Sequence, residues 1–110
     1  MTPTSNDTTA LPTRFRVGEV VADAGANELT VAEVDRMLAV NTRAPFVASQ
    51  AAARHLGAGG RIISIGSNLA ERVLFPGITL YSMSKSALVS MTHGLARELG
   101  PRGITVNLVN

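Results

Sequence analysis

Two short apolar runs on either side of a helical pattern constrain the fold of this chain most strongly. Residues 61–66 (RIISIG) and 104–109 (ITVNLV) each have the length and the branched side chains of a strand. Between them, residues 81–99 repeat leucine and methionine at helical spacing, and Gly100 and Pro101 end that repeat. Strand, helix and strand in this order form a βαβ unit with parallel strands. We therefore predict an α/β fold in which residues 61–66 form a buried strand of a parallel sheet.

An earlier helix is predicted from its start signal. Thr30 and Glu33 have the spacing of a capping box, and apolar residues follow them at helical intervals. We expect this helix to continue to Leu56. It should bend near Ala44, because Pro45 lacks a backbone donor and crowds the preceding turn.

The first part of the chain has no comparable pattern. Residues 1–29 begin with a run rich in threonine, serine, asparagine and proline, which is typical of a flexible tail. Residues 17–22 could form a strand, but Gly25 and Asn27 interrupt whatever forms there. We therefore predict a flexible or irregular N-terminal segment over 1–29 and a domain over 30–110.

Composition excludes several classes of protein. The 110 residues allow one domain at most, and the net charge of +2 comes from basic and acidic residues that do not cluster. Nucleic-acid-binding proteins usually carry a basic patch, so we expect no nucleic-acid partner. No apolar run is long enough to span a membrane, and the first residues do not resemble a signal peptide. The absence of cysteine fits a reducing cytosol, and two scattered histidines predict no metal site, so we expect a cytoplasmic protein without a metal.

The only tyrosine and the only lysine of the chain lie four residues apart. Tyr81 and Lys85 share one face of the predicted helix, whereas the other nine basic residues are all arginine. A free phenol is a poor base at neutral pH because its pKa is near ~10. An ammonium about 4 Å away stabilises the phenolate by roughly 4 kcal/mol at an effective dielectric of ~20. The pair therefore suits a tuned general acid and base, although such a pair also arises by chance on a solvated helix face.

A serine occupies the position where ligands bind in open α/β sheets. Ser67 follows the first predicted strand, and Tyr81 begins the helix after it, at the end of a predicted loop over 67–80. Ligands of such sheets bind beyond the carboxyl ends of the strands. A hydroxyl there can hold a substrate oxygen while a phenol exchanges its proton. The alternative is that Ser67 serves only the local turn.

Taken together, the segments GRIISIGS, YSMSKSAL and ITVNLVN resemble the catalytic segment of short-chain dehydrogenases/reductases, with most similarity to the 3-oxoacyl-carrier-protein reductase-like branch. Upstream, VNTRAPF resembles the kinked helix of that family, whose asparagine corresponds to Asn41. The resemblance covers residues 30–110 and implies a partial Rossmann-like, doubly wound parallel sheet. Without it, Asn41 reads as a polar residue tolerated beside a helix bend.

The resemblance implies a role for each matching residue. Tyr81 is expected to be the general acid in reduction and the base in oxidation. Lys85 is expected to assist the phenol and to hold the nicotinamide ribose, and Ser67 to orient the substrate carbonyl. Asn41 is expected to support a water-linked proton relay. The expected cofactor is NAD or NADP, the substrate a small ketone or secondary alcohol, and self-association is plausible because the family uses these helices in subunit contacts.

The sequence also departs from the family pattern. The family begins with a glycine-rich turn that cradles the cofactor diphosphate, and no such spacing occurs here. The cluster Gly57, Gly59 and Gly60 follows a helix rather than a strand. We therefore expect the N-terminal half of the fold to be missing, and apolar faces to be uncovered, so that the chain is marginally stable, dependent on a partner, or one piece of a longer product.

Two alternatives to an active oxidoreductase remain open. The first is an inactive truncated remnant, or an oligomerisation or interaction module, that does not bind a cofactor. The second is a binding module with no redox history, which leaves the arrangement of Ser67, Tyr81 and Lys85 unexplained. The missing phosphate-binding turn is the feature that discriminates the first alternative from an active oxidoreductase, because without a bound cofactor Tyr81 has no hydride donor to work with.

Overall fold

The computed structural model describes residues 28–110, and in this part of the chain helices and strands alternate in the predicted order. The elements are α1 (Val31–Leu38), a π-helical turn (Ala39–Arg43), α2 (Ala44–Ala53), β1 (Arg61–Ile65), a 3₁₀ turn (Asn68–Ala70), α3 (Thr79–Leu99), a second 3₁₀ turn (Gly100–Arg102) and β2 (Thr105–Val109). The prediction for the N-terminal segment falls almost wholly outside the described residues.

The two strands form a parallel pair, as predicted. Arg61 lies opposite Thr105, and the register continues without a bulge to Ile65 opposite Val109. Helix α3 connects the strands, so the described residues contain the βαβ unit that the two apolar runs indicate. The α/β class and the partial, Rossmann-like character of the fold are confirmed.

Helix α1 begins with the predicted capping box. The Thr30 hydroxyl accepts a hydrogen bond from the Glu33 backbone N–H at 3.1 Å, and the Glu33 carboxylate accepts one from the Thr30 N–H at 2.8 Å. These two bonds satisfy backbone donors that a helix otherwise leaves without partners at its first turn.

The predicted bend near Ala44 takes the form of a π-helical turn that lies just before that residue. Across Ala39–Arg43 the helix widens, and the Ala44 N–H bonds the carbonyl of Ala39, five residues earlier. Pro45 explains the widening, because it has no N–H and its ring would crowd the carbonyl of Asn41 in a regular α-helix. The irregularity therefore centres on Asn41.

Helix α2 ends at Ala53, three residues before the predicted end at Leu56. The N–H of Arg54 bonds the carbonyl of Ala51, so the last turn tightens into a 3₁₀-type geometry. The guanidinium of Arg102 donates to the carbonyls of Ala53 and Leu56 at 2.7 and 2.9 Å. Arg102, which lies between α3 and β2, thus supplies hydrogen-bond donors to carbonyls that no longer have backbone N–H partners where the helix ends.

Helix α3 begins at Thr79, two residues before the predicted start at residue 81. Its end at Leu99 is as predicted. Gly100 keeps a right-handed conformation and opens a 3₁₀ turn that accommodates Pro101, whose fixed φ suits a first-turn position. The left-handed residue that turns the chain into β2 is Gly103, at φ 76°.

Strand β1 is buried on one face only, which corrects the prediction of a buried strand over 61–66 and agrees with the expectation of an uncovered apolar face. Ile62 is 9% exposed, whereas Ile63 and Ile65 are 59% and 67% exposed. The buried face packs in a core with the ends of α2 and α3. The members of this core are Ile62, Leu99, Ile104 and Val106, with Ala53, Leu56, Leu95 and Ala96 packed against them. Alternate strand residues point to opposite faces, and in the described part of the chain the helices cover only one of them.

A second, smaller core joins α1 to the start of α3. Met37 and Leu80 are buried together, and Tyr81 packs against them. This contact holds the first turn of α3 beside α1, the helix that leads into the π-helical turn. Among the described residues, no helix has the length and the apolar character needed to cross a membrane.

Candidate active site

The carboxyl end of β1 is shaped by a glycine. The Gly66 N–H donates to the Val109 carbonyl at 2.7 Å, so the strand pairing continues one residue beyond β1. A Cβ atom at Gly66 would lie 2.5 Å from the Asn110 side-chain oxygen and 3.0 Å from Leu108 Cδ1. Glycine therefore suits the close approach of the chain to β2 at this point, where a Cβ would force the Leu108 and Asn110 side chains to shift, and Ser67 follows directly at the strand end.

Ser67 is held in an extended conformation at the start of the 3₁₀ turn. Its Oγ accepts a hydrogen bond from the Leu69 N–H at 3.1 Å, so the residue serves the turn, as the simpler interpretation of the sequence proposed. Within residues 28–110 the Ser67 hydroxyl donates to no protein atom. Because the Ser67 oxygen already accepts this hydrogen bond, its proton is free to be donated to the oxygen of a bound ligand.

Lys85 reaches from α3 to the same strand end. Its Nζ donates to the carbonyl of Ile65, the last residue of β1, at 3.2 Å. This bond uses one of the three ammonium donors and leaves two for other acceptors. Desolvation by burial lowers the pKa of Lys85 below its ordinary value of 10.5. The ammonium is thus partly desolvated beside the strand end from which Ser67 emerges.

Tyr81 lies in the first turn of α3, one helical turn before Lys85. It is half-buried, and it packs against the core formed by Met37 and Leu80. Its hydroxyl forms no hydrogen bond to any residue that the structure describes. The spacing of four residues on a continuous helix places the phenol and the ammonium on one face, as predicted.

Asn41 lies in the π-helical turn and is 8% exposed. Its Nδ2 donates to the Ser84 hydroxyl at 3.1 Å and to Met37 Sδ at 2.8 Å. The residue is therefore not simply tolerated beside a bend, because its side chain bridges to the turn of α3 that connects Tyr81 and Lys85.

Ser84 belongs to this cluster and was missed by sequence reasoning. It is fully buried, its hydroxyl donates to the Tyr81 carbonyl at 2.7 Å, and its own carbonyl accepts from the Thr42 hydroxyl at 2.8 Å. The available signal was a small polar residue directly before the only lysine, on a helix face that otherwise carries apolar side chains. A serine in a helix is usually read as solvent-facing, so this signal is easily passed over.

The available donors fit one end of a nicotinamide cofactor. Two ammonium donors of Lys85 suit ribose hydroxyl oxygens, and the hydroxyls of Ser67 and Tyr81 suit the oxygen of a carbonyl or an alcohol. A diphosphate needs a glycine-rich turn at a helix start, and the sequence contains no such spacing. In the described residues, His, Asp and Glu side chains do not gather into any group of three that could hold a metal ion.

Comparison with known proteins gives a consistent family. Residues 17–110 match the family model described as enoyl-(acyl carrier protein) reductase. The cyclic-di-GMP-binding biofilm dispersal mediator protein of Escherichia coli K12 is 49% identical over 84 residues, a stretch that covers 76% of this chain and 35% of that protein.

Solved structures give the same result. A dehydrogenase/reductase from Sinorhizobium meliloti 1021 is 67% identical with a TM-score of 0.75, over 77% of this chain and 34% of that one. A short-chain dehydrogenase from Burkholderia cenocepacia J2315, solved in complex with NADP, is 60% identical with a TM-score of 0.76, over 77% of this chain and 35% of that one.

The chain spans about a third of the length of the relatives that it matches. The family resemblance stated from the four sequence motifs is confirmed, whereas the more specific assignment to the 3-oxoacyl-carrier-protein reductase-like branch stays a prediction. On the match over residues 17–110, the chain belongs to the short-chain dehydrogenase/reductase family.

Proposed function

We propose that this chain carries the acid–base part of a nicotinamide-dependent oxidoreductase site that interconverts a ketone and a secondary alcohol. The observation that carries the proposal is the hydrogen bond from Lys85 Nζ to the carbonyl of Ile65. It brings the only lysine to the strand end that precedes Ser67, and Tyr81 lies one helical turn away on α3. The proposed site joins these three donors at one edge of the sheet.

Each residue has a distinct part in the proposed reaction. The Ser67 hydroxyl donates to the carbonyl oxygen and orients it. In reduction, the Tyr81 hydroxyl gives its proton to that oxygen as it becomes an alcohol, and in oxidation the phenolate takes the proton back. The Lys85 ammonium stabilises the phenolate and binds ribose hydroxyls with its two remaining donors. The nicotinamide, when bound, supplies or accepts the hydride.

Asn41 completes the proposed set by supporting proton exchange with solvent. Its contact with Ser84 fixes it beside the turn that carries the phenol and the ammonium. Pro45 removes the donor that would bond the Asn41 carbonyl in a regular helix. We propose that this part of the π-helical turn supports a water-linked relay, which replaces the proton lost from Tyr81.

The relatives support a nicotinamide cofactor without deciding between its two forms. The Burkholderia cenocepacia protein was solved with NADP. This chain shares 60% of its residues with that protein over the matched region, so we propose NADP or NAD as the cofactor. A cytoplasmic location is proposed as well, supported by the cysteine-free composition.

One observation favours a second candidate function. The face of β1 that carries Ile63 and Ile65 is exposed and apolar, and the chain spans about a third of its relatives' length. An exposed apolar sheet face is typical of a surface that another polypeptide covers. The second candidate is therefore an inactive interaction or oligomerisation module in which the site residues persist without a cofactor.

Binding of NADH and NADPH to the purified 110-residue chain separates the two candidates. We expect saturable binding that Lys85→Ala abolishes and Arg97→Ala preserves. Both variants remove one positive charge from α3, but Arg97 lies in its exposed last turn, far along the helix from Tyr81. Absence of binding at millimolar cofactor, or equal loss in both variants, would reject the oxidoreductase proposal for this chain.

A further inference from the structure

Ser84 joins three parts of the proposed site through its hydroxyl and its backbone carbonyl. Its Oγ donates to the Tyr81 carbonyl at 2.7 Å and accepts from Asn41 Nδ2 at 3.1 Å. Its backbone carbonyl accepts from the Thr42 hydroxyl at 2.8 Å. Two consecutive residues of the π-helical turn are thereby bonded to one residue of α3.

A neighbouring serine shows that burial alone does not explain this arrangement. Ser82 lies on the same helix and is also buried, but its hydroxyl has no hydrogen-bond partner among the described residues. Ser84 therefore differs from Ser82 in its connections rather than in its type or its exposure. The comparison also supplies a matched control, because both positions lose one buried hydroxyl when changed to alanine.

The place of Ser84 in the chain makes these connections significant for the site. It precedes Lys85 directly, and Lys85 is tied to the end of β1 through the Ile65 carbonyl. The helical turn from Tyr81 to Lys85 is thus held from two sides, by β1 through Lys85 and by the π-helical turn through Ser84. A displacement of about 1 Å in a catalytic group can cost roughly 100-fold in rate, so this double attachment bears on chemistry.

We propose that Ser84 is a positioning residue of the active site, whose hydroxyl fixes Asn41 and the π-helical turn against the helical turn that carries Tyr81 and Lys85. The inference rests on the proposed function for its catalytic meaning. In the proposed site, Ser84 touches neither substrate nor cofactor. It acts through Asn41 and through the backbone of Tyr81, which donates the proton in the proposed reaction.

The test compares Ser84→Ala, Ser84→Cys and Ser84→Thr with Ser82→Ala in the full chain. Cysteine keeps nearly the volume of serine but is a weak hydrogen-bonding group, whereas threonine keeps the hydroxyl. Hydrogen exchange of the Asn41 side-chain amide, followed by NMR, needs neither cofactor nor turnover. We expect roughly five- to tenfold faster exchange in the alanine and cysteine variants, as loss of one net hydrogen bond implies. We expect near-normal exchange in Ser84→Thr and Ser82→Ala.

Steady-state ketone reduction provides the catalytic readout. We expect kcat to fall by roughly 10- to 100-fold in Ser84→Ala and Ser84→Cys, with little change in KM for cofactor and substrate, and partial recovery in Ser84→Thr. A purely structural role would instead lower the folded fraction and leave kcat per folded molecule unchanged.

The outcomes distinguish this inference from the proposed function. Unchanged Asn41 exchange in both Ser84→Ala and Ser84→Cys overturns the inference, as does wild-type behaviour of Ser84→Cys, because volume and not the hydroxyl would then matter. If Ser84→Ala fails to fold, the cysteine and threonine variants decide the question. Absence of turnover in the unchanged chain counts against the proposed function alone, since the amide measurement still decides whether Ser84 fixes Asn41.

Discussion

At the scale of single residues, the site depends on the hydrogen-bond donors and acceptors that each polar side chain does not use within the described residues. Ser67 accepts from the backbone and keeps its proton, and Lys85 donates to one carbonyl and keeps two donors. The Tyr81 hydroxyl bonds no residue in the described part of the chain. Ser67, Lys85 and Tyr81 thus each keep hydrogen-bonding capacity that the described residues do not use, which is more typical of a binding site than of a structural network.

The single lysine allows a direct measurement of its environment. Because burial lowers the pKa of Lys85 from 10.5, the folded chain binds fewer protons than the unfolded chain between the lowered value and 10.5. Stability should therefore rise with pH through that window, and the cost of burying the charge is fully present below it. Reductive ¹³C-methylation and NMR titration should show a lower midpoint in the folded chain than in urea.

Replacement of the same residue provides the control for this titration. We expect Lys85→Met to flatten the rise of unfolding free energy with pH below 10.5, because no buried amine then changes its protonation on unfolding. Identical midpoints in the folded and unfolded chain, or an unchanged pH dependence in Lys85→Met, would contradict the partial desolvation of the ammonium.

At the scale of the elements, sequence reasoning succeeded where local signals and packing agree. The capping box at Thr30 and Glu33 fixes the start of α1 by hydrogen bonds between residues three apart. The two strands follow from their branched residues and glycine boundaries. The π-helical turn was predicted only as a bend near Ala44, because Pro45 forbids a regular helix there without specifying how the chain adjusts.

The candidate site is only partly predictable from the sequence. Ser67, Tyr81 and Lys85 are predicted as site residues because spacing and strand order place two of them at the strand end and the start of the following helix, and the third one turn later. Ser84 was missed because its partners, Asn41 and Thr42, lie more than forty residues away, and no local pattern records that pairing. Long-range contacts between small polar residues depend on how closely two helices approach, which the sequence does not display.

Two glycines allow a matched test of the strand end. We expect Gly66→Ala to destabilise the chain by about 1–3 kcal/mol, because the added Cβ would meet Leu108 and the Asn110 side chain. Gly94→Ala should instead stabilise it by about 1 kcal/mol, since Gly94 lies within α3 with open space around it and alanine is the better helix former. Chemical denaturation measures both values, and equal effects would contradict the close approach at Gly66.

At the scale of the whole molecule, the described residues form a βαβ unit with helices on one face of a two-stranded sheet. The core around Ile62 and Val106 lies between that face and the ends of α2 and α3. The opposite face of β1 is open to solvent at Ile63 and Ile65. Parallel sheets are ordinarily covered on both faces, so we expect low stability and a tendency to associate through the exposed face.

Substitutions on the two faces of β1 should separate core packing from this exposed surface. Ile63→Thr should change the unfolding free energy by no more than about 0.5 kcal/mol, because the side chain is 59% exposed. Ile62→Ala should cost about 2–4 kcal/mol, because Ile62 is buried in the core.

The double variant Ile63→Thr with Ile65→Thr extends the test from stability to association. We expect it to reduce binding of a hydrophobic dye and self-association measured by sedimentation, since it removes apolar surface without touching the core. Dye binding unchanged by this variant would show that another surface drives association.

The most direct test of the central claim is a hydride-transfer assay on the unchanged chain and on Tyr81→Phe, with NADPH and NADH and a panel of small ketones. The substitution removes only the hydroxyl, which bonds no described residue, so the fold should be kept. We expect the nicotinamide absorbance to fall with ketone in the unchanged chain, and the rate to drop by roughly 100-fold or more in Tyr81→Phe. No ketone-dependent change in the unchanged chain, or equal rates in both proteins, would contradict the claim that these residues form a working acid–base site.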